Sequence, residues 1–282
     1  MESQRFTIVL MSLLTVVLVC ALAVLLVLVF GLYNVAGNLQ HLQPVHTVLE
    51  FALRQSVRAN ARDIDVPALS APDTVDRGAL CYQQKCMQCH GGPGVAAADF
   101  GQAMQPLPGP LIDATQRWHA RELYWITRNG LKMTGMPAWE HRMSERDLWS
   151  VVAFLQELPQ LSPEQFAFRL GAHTAKAERC EMSEAASRSL GDAEWGRRAL
   201  YAYACVGCHT VPGTVQSNPQ IGPPLEGMAR RTRIAGVLDN TTDNMVHWLR
   251  ETQTVKPGTA MPAMNVGEQD AHDIAAYLGT LR

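Results

Sequence analysis

The sequence predicts an all-α protein in which one N-terminal transmembrane helix is followed by two small tandem domains. Three observations support this prediction: an apolar run at the N-terminus, an internal repeat in the rest of the chain, and no long stretch with the apolar–polar alternation of a β-strand. The 282 residues are sufficient for an anchor, two small domains and linkers. The formal net charge of -2 gives no sign of a nucleic-acid-binding surface.

The apolar run extends from Phe6 to Tyr33. A helix of this length crosses the apolar core of a bilayer, which is about 30 Å thick. A cleaved signal peptide is the alternative, but its apolar region would be shorter, and residues 31–37 offer only a poor cleavage site. We therefore expect residues 1–38 to be a retained, single-pass membrane anchor.

The two copies of the repeat have the same order of landmarks: a Cys-x-x-Cys-His motif, a Gly-Pro turn, a Trp-bearing helix, a Met-Pro-Ala loop and a closing amphipathic helix. In the first copy these are Cys86–His90, Gly109–Leu111, Trp125, Met136–Ala138 and Ser144–Leu158. In the second copy they are Cys205–His209, Gly222–Leu225, Trp248, Met261–Ala263 and Glu268–Leu281. We assign residues 74–161 and 190–282 to the two domains, 39–73 to a juxtamembrane helix (39–62) and spacer, and 162–189 to a linker with some helix.

The Cys-x-x-Cys-His motif has a direct chemical rationale. Its two thiols add to the vinyl groups of a haem, and the adjacent histidine binds the iron from one face. We assign this role to Cys86, Cys89 and His90, and in the second copy to Cys205, Cys208 and His209. Zinc is the alternative, but a zinc site needs three or four such ligands, and each cysteine pair stands alone in its repeat. The motifs predict two covalently bound haem c groups.

The second axial ligand is a separate inference. Met136 and Met261 each directly precede a proline, which stiffens the loop that presents the thioether. A lone methionine usually fills a core, but two at equivalent places in a repeat favour ligation. Met133 and Met264 are nearby competitors. Ligation by a second histidine would need a residue that we expect to be a solvated or hydrogen-bonded surface histidine, namely His119, His141, His247 or His272.

Other residues of the repeat are expected to support the haem or the packing. We expect Pro110 and Pro223 to offer a carbonyl oxygen to the imidazole N–H of the haem-binding histidines. Two roles explain Trp125 and Trp248 equally well: a hydrogen bond from the indole N–H to a haem propionate, or burial of the ring in the core. The contact between the first and last helices is expected to use Gly78, Tyr82 and Phe154, and in the second copy Gly196, Tyr201 and Tyr277. Cys81 and Cys180 either form a disulfide or remain free.

Together these motifs resemble class I cytochromes c repeated twice. Tandem domains are similar to cytochrome c4, and a membrane-tethered pair is similar to the di-haem subunit of cbb3-type oxidases. The resemblance implies two small helical domains with His90/Met136 and His209/Met261 as axial pairs. The first copy departs from it by the longer segment 91–108 between the motif and the Gly-Pro turn.

The resemblance implies single-electron transfer, with no catalytic residues, rather than an enzyme. Because haem is attached outside the cytoplasmic membrane in bacteria, we expect the domains on the periplasmic side of the inner membrane. The expected partners are a membrane respiratory complex (a terminal oxidase or a quinol-oxidising complex) and a soluble cytochrome or cupredoxin. A cytochrome subunit of a periplasmic dehydrogenase is the alternative. A di-haem peroxidase needs an open iron position, against which the two Met-Pro-Ala loops argue.

Overall fold

The computed structural model describes residues 2–174, 179–180, 189–215 and 219–282, which divide into two compact units, residues 1–53 and 54–282. Within the described ranges the chain is mainly helical, and its β-structure consists of one short hairpin and an isolated bridge. The predicted all-α class is confirmed.

The N-terminal unit contains helix α1, Glu2–Val29, and most of helix α2, Gln43–Ala61. The stretch Gln4–Val29 is long and apolar enough to cross a membrane. Helix α1 ends before the apolar run does, because Gly31 adopts a φ of 61° and turns the chain. Retention of this helix in the mature protein stays a prediction.

The first repeat is a set of helices around one apolar core. Its helices are α3 (Pro72–Cys81), a π-helical turn (Tyr82–Cys86), α4 (Met87–His90), α5 (Asp99–Gln102), α6 (Ala114–Arg117), α7 (Ala120–Asn129), α8 (Glu145–Glu157), a 3-10 turn (Leu158–Gln160) and α9 (Pro163–Thr174). Ser144 begins α8 as its N-cap, accepting a hydrogen bond from the backbone N–H of Asp147 at 3.1 Å. Helices α3 and α8 cross at Gly78, where a Cβ would collide with the backbone carbonyl of Ser150.

The second repeat has a similar helical order with a small hairpin added. It contains α10 (Ala193–Ala202), 3-10 turns (Cys205–Gly207 and Met228–Arg230), strands β1 (Arg233–Ile234) and β2 (Leu238–Asp239), α11 (Thr242–Arg250), α12 (Thr252–Val255) and α13 (Glu268–Leu278). The strands are antiparallel, with Arg233 opposite Asp239 and Ile234 opposite Leu238. Helices α10 and α13 cross at Gly196, where a Cβ would collide with the carbonyl of Asp273. The crossing of first and last helix at a glycine is therefore the same in both repeats.

The aromatic part of the predicted helix contact is right in the first repeat and partly wrong in the second. The rings of Tyr82 and Phe154 lie 5.3 Å apart between centroids. In the second repeat Tyr201 is exposed, whereas Tyr203 is fully buried. The helix ends there at Ala202, and Ala204 adopts a φ of 55°. Tyr201 therefore does not point into the core as Tyr82 does, although both lie four residues before the first motif cysteine.

The region predicted as a linker begins with a helix that belongs to the core of the first repeat. Phe166 of α9 is fully buried, and its ring lies 6.3 Å from that of Tyr82. Further along, Cys180 forms a disulfide with Cys81, with the two Cα atoms 5.0 Å apart. This settles the alternative that the sequence left open. The remainder of the predicted linker, residues 175–178 and 181–188, lies outside the described residues.

Candidate functional site

The first cysteine motif lies where α3 passes through its π-helical turn into α4. Cys86 is buried and Cys89 half-buried, and both thiols are free. Burial, together with the neighbouring Cys89 thiol, raises the pKa of Cys86 to about 12. In the second repeat, burial raises the pKa of Cys205 to about 11. The first thiol of each motif, Cys86 or Cys205, is therefore protonated at neutral pH.

Each motif histidine is held through one ring nitrogen by a backbone carbonyl. The Nδ1 atom of His90 lies 2.7 Å from the carbonyl oxygen of Gly109, and Nδ1 of His209 lies 2.7 Å from that of Pro223. Because a carbonyl only accepts, Nδ1 carries the proton in both rings, and Nε2 has its lone pair free for a metal. Burial also lowers the pKa of His90, which favours the neutral, ligating imidazole.

The acceptor predicted for the second repeat is confirmed, and that predicted for the first is wrong. Pro223 provides its carbonyl as expected, but Gly109 rather than Pro110 does so in the first repeat. The reason is the length of the turn, which has one proline before the leucine in the first copy and two in the second. In both copies the acceptor is the residue two positions before that leucine.

Glycines set the space around the motifs. A Cβ on Gly222 would lie 2.5 Å from Cε1 of His209, so the backbone of this turn lies directly against the imidazole. In the first repeat, a Cβ on Gly101 would lie 2.8 Å from the carbonyl oxygen of Gln88, within the motif itself. Both positions are restricted to glycine by close approach rather than by a left-handed backbone.

The two Met-Pro-Ala loops are each fixed by hydrogen bonds to the methionine backbone. Met136 accepts from Leu131 N–H at 3.1 Å and donates its N–H to the Thr134 hydroxyl at 3.0 Å. The carbonyl of Met261 accepts from the side-chain amide of Gln253 at 2.7 Å. Both methionine side chains are half-buried. The competitor Met133 is 97% exposed, whereas Met264 is half-buried like Met261.

The remaining candidates divide between packing, capping and surface roles. Trp248 is buried in the core of its repeat and Trp125 is half-buried, and a hydrogen bond of either to a propionate stays a prediction. His119 is the N-cap of α7, where its backbone N–H donates to the carboxylate of Glu122 at 2.8 Å. His247 is exposed and His272 half-buried. The expectation of a surface position is wrong for His141, which is 2% exposed because a partner from the second repeat covers it.

Two family models match the chain, one in each repeat. The model for cytochrome c oxidase, cbb3-type, subunit III matches residues 73–155, and the model for cytochrome c matches residues 195–282. Each repeat is a cytochrome c domain. Two such domains imply two covalently bound haem c groups, and each domain has the donor set that this group needs: two free thiols and an imidazole with Nε2 available.

The chain is also similar to two oxidase subunits. It is 36% identical over 91 residues to cytochrome c oxidase subunit 2 of Alkalihalophilus pseudofirmus, and 32% identical over 88 residues to the protein of that name from Bacillus sp. (strain PS3). These matches cover 32% and 30% of this chain, and 26% and 25% of the two relatives. The chain thus spans about a quarter of the length of the curated relatives that it matches.

Proposed function

We propose that this protein is a membrane-anchored di-haem cytochrome that transfers single electrons on the periplasmic side of a bacterial inner membrane. The observation that carries the proposal is the duplicated donor set, in which each motif histidine is fixed by a carbonyl at 2.7 Å and each motif keeps two free thiols. Helix α1 supports the anchor, because it is long and apolar enough to cross a bilayer.

The chain's own residues attach and tune the cofactor. The two cysteines of each motif would hold haem c through thioether bonds. Once bound, haem c supplies reversible one-electron iron chemistry. His90 and His209 would each provide one nitrogen ligand to the iron, and the carbonyl acceptors hold those rings in the required tautomer. Met136 and Met261 are the proposed second ligands, and a thioether in that position raises the reduction potential.

We further propose that a terminal oxidase is the membrane complex with which the chain works, as a subunit or as a donor. The support is the family model matched by the first domain and the name shared by the two relatives. A quinol-oxidising complex would then supply each electron, directly or through a soluble cytochrome or cupredoxin. The alternative is the cytochrome subunit of a periplasmic dehydrogenase, which would use the same two domains.

The test is purification of the full chain from native membranes in mild detergent, with a visible spectrum, a mass and the identity of co-purifying proteins. We expect two haems by mass, oxidase subunits in the complex, and reduction of both haems by a quinol-oxidising membrane fraction. A double variant Cys205→Ala/Cys208→Ala should be one haem lighter. A colourless or zinc-containing protein would refute the proposal, and co-purification with a dehydrogenase alone would favour the alternative.

A di-haem peroxidase is distinguished in the same preparation. Oxidation of the half-reduced protein by hydrogen peroxide at a rate far above that of a mono-haem cytochrome would indicate an iron with an open position. We expect no such reaction, because each domain has a constrained Met-Pro-Ala loop whose methionine is the proposed second iron ligand.

A further inference from the structure

The two cytochrome c domains meet at a buried polar cluster that the repeat does not predict. At its centre, Nδ1 of His141 lies 3.2 Å from Oδ1 of Asp270, which is 7% exposed. We call the cluster the domain latch. Its members are Glu140, His141 and Arg142 of the first domain, and Trp195, Arg198, Tyr203 and Asp270 of the second.

Asp270 is the acceptor at the centre of the latch. Besides His141, it accepts from the indole N–H of Trp195 at 2.9 Å and from the hydroxyl of Tyr203 at 2.9 Å. Burial alone would raise the pKa of Asp270, but the hydrogen bonds and charge of these neighbours hold it below its ordinary value. The carboxylate therefore stays charged, and its hydrogen bond with His141 joins it to the first domain.

Arginines surround this centre from both domains. The carboxylate of Glu140 lies 3.5 Å from the guanidinium of Arg128 in its own domain and 3.4 Å from that of Arg198 in the other. Arg142 reaches the opposite way, donating to the carbonyl of Ala202 at 3.1 Å. Its guanidinium also lies 4.5 Å from the centre of the Tyr203 ring. The contact thus pairs Glu140 of the first domain with Arg198 of the second, and it places Arg142 of the first against a carbonyl and an aromatic ring of the second.

The latch is built directly onto the segments that carry the proposed methionine ligands. In the first domain it follows Met136–Ala138 after one residue, and its backbone is fixed to α7 by a hydrogen bond from Glu140 N–H to the carbonyl of Arg128 at 3.1 Å. In the second domain, Asp270 lies in the first turn of α13, shortly after Met261–Ala263. A shift of the latch would therefore move one haem-binding loop relative to the other.

A buried polar contact of this kind is costly unless each of its groups is satisfied, and in some proteins such a contact fixes one arrangement of the chain. His141 carries such a free-energy cost, because its Nε2 atom is buried without a hydrogen-bond partner among the described residues. The nearest carboxylate oxygen given for it, Oε1 of Glu140, lies 3.7 Å away. An apolar contact would avoid that cost, but it would not fix the angle between the domains.

We infer that the domain latch holds the two cytochrome c domains in one relative position, and that this position permits fast electron exchange between their cofactors. His141 is the positioning residue. Only the part about electron exchange rests on the proposed function. The contact between the domains exists whether or not electrons cross it.

The first test needs no electron transfer. Hydrogen exchange would be measured on the full chain for wild type, His141→Ala and His141→Asn, whose amide N–H can replace the Nδ1–H donor to Asp270. His141→Ala should raise exchange about tenfold in the second-domain helices α10 and the start of α13, as expected when a buried acceptor loses its partner. The core of the first domain should be unchanged, and His141→Asn should stay near wild type.

A matched control is His46→Asn, since His46 also lies beside a carboxylate, at 4.0 Å from Glu50, but is exposed. Unchanged exchange in His141→Ala, or an equal rise in the control, would overturn the latch. Because His141→Asn keeps the donor, it remains informative even where the alanine variant folds poorly.

The second test measures the exchange of electrons between the haems after flash reduction. A variant that removes the first domain's side of the latch (Glu140→Ala, His141→Ala and Arg142→Ala together) should lose the fast intramolecular phase. The visible and near-infrared spectra of both haems should keep their wild-type ligation bands, because no proposed iron ligand is changed. A retained fast phase would overturn the second half of the inference, whereas a protein without reducible haem would refute the proposed function and leave the hydrogen-exchange result standing.

Discussion

The imidazole of His209 lies against the backbone of Gly222, so that a Cβ added to this glycine would be 2.5 Å from Cε1 and 2.9 Å from Nε2. The same turn provides the carbonyl of Pro223 that holds Nδ1 at 2.7 Å. One short segment therefore both orients the ring and limits its movement. The carbonyl favours one tautomer, and the glycine leaves room for one ring position.

This relationship predicts the effect of Gly222→Ala. The added methyl group must push the imidazole away from the turn, which should weaken ligation in the second domain and lower the fraction of chains with two haems. Gly207→Ala is the matched control, because it lies inside the motif but has nothing within 4 Å of the added Cβ. Haem content by mass and the spectrum of the second haem check the prediction. Equal haem content in both variants would contradict it.

The second prediction concerns stability and follows from the crossing of α3 and α8. A methyl group on Gly78 would collide with the carbonyl of Ser150, which is backbone and cannot rotate away. We expect Gly78→Ala to lower the free energy of unfolding by about 1–3 kcal/mol or more. Gly171→Ala, at an exposed helical position with open space, should instead raise it by about 0.5–1 kcal/mol. Chemical unfolding of both variants tests the contrast, and a loss at Gly171 as large as at Gly78 would refute the steric explanation.

Much of the site follows from the sequence because the chemistry dictates it. Cysteine spacing and the adjacent histidine are fixed by the shape of the porphyrin, so the motifs indicate the same donor set in both repeats. The details that failed depend on the local path of the backbone. Pro110 is not the acceptor because its turn is one residue shorter, and Tyr201 is exposed because α10 ends at Ala202 where the first repeat continues through a π-helical turn.

The buried position of His141 cannot be predicted from the sequence of one repeat alone. Its burial depends on Asp270, which is 129 residues further along the chain, and nothing in either repeat marks the two residues as partners. The disulfide is a similar case. The sequence leaves open whether Cys81 and Cys180 pair or stay free, because their pairing depends on how the segment after α9 returns to α3.

Removal of that disulfide is a third prediction. The bond joins residues 99 apart, so it restricts a long loop of the unfolded chain. Cys180→Ser should lower the free energy of unfolding by about 2–5 kcal/mol. Cys20→Ser, at an exposed free thiol in α1, serves as the control. Thermal unfolding with and without a reductant checks the assignment, since reductant should destabilise wild type and leave the serine variant unchanged. A wild-type protein insensitive to reductant would contradict it.

The proposed methionine ligands give a fourth prediction. Replacing a thioether by an imidazole lowers the reduction potential, so Met136→His should lower that of the first haem by about 100 mV or more. Met133→Leu is the control, because its side chain is 97% exposed. In the second domain, Met261→His and Met264→Leu distinguish two half-buried candidates. Redox titration is the measurement, and an unchanged potential in Met136→His would remove Met136 as a ligand.

The charged state of Asp270 predicts how stability depends on pH. Its pKa is lower in the folded protein than its ordinary value of 3.8, because hydrogen bonds and charge from His141, with hydrogen bonds from Trp195 and Tyr203, outweigh the effect of burial. A carboxyl of this kind contributes stability that is complete above its unfolded pKa and is lost as the pH falls through its folded pKa. Asp270→Asn should therefore be less stable than wild type at pH 7, and the difference should shrink at about pH 3 and below.

Urea unfolding of both proteins between neutral and acidic pH measures this difference directly. Acid effects on haem ligation occur in wild type and variant alike, so they cancel in the comparison. Asp65→Asn, which removes an exposed carboxylate outside the helices, is the control and should differ from wild type far less than Asp270→Asn does at pH 7. A gap between wild type and Asp270→Asn that is as large in acid as at pH 7 would mean that the asparagine disturbs packing alone. The charge on Asp270 would then have no part in holding the domains together.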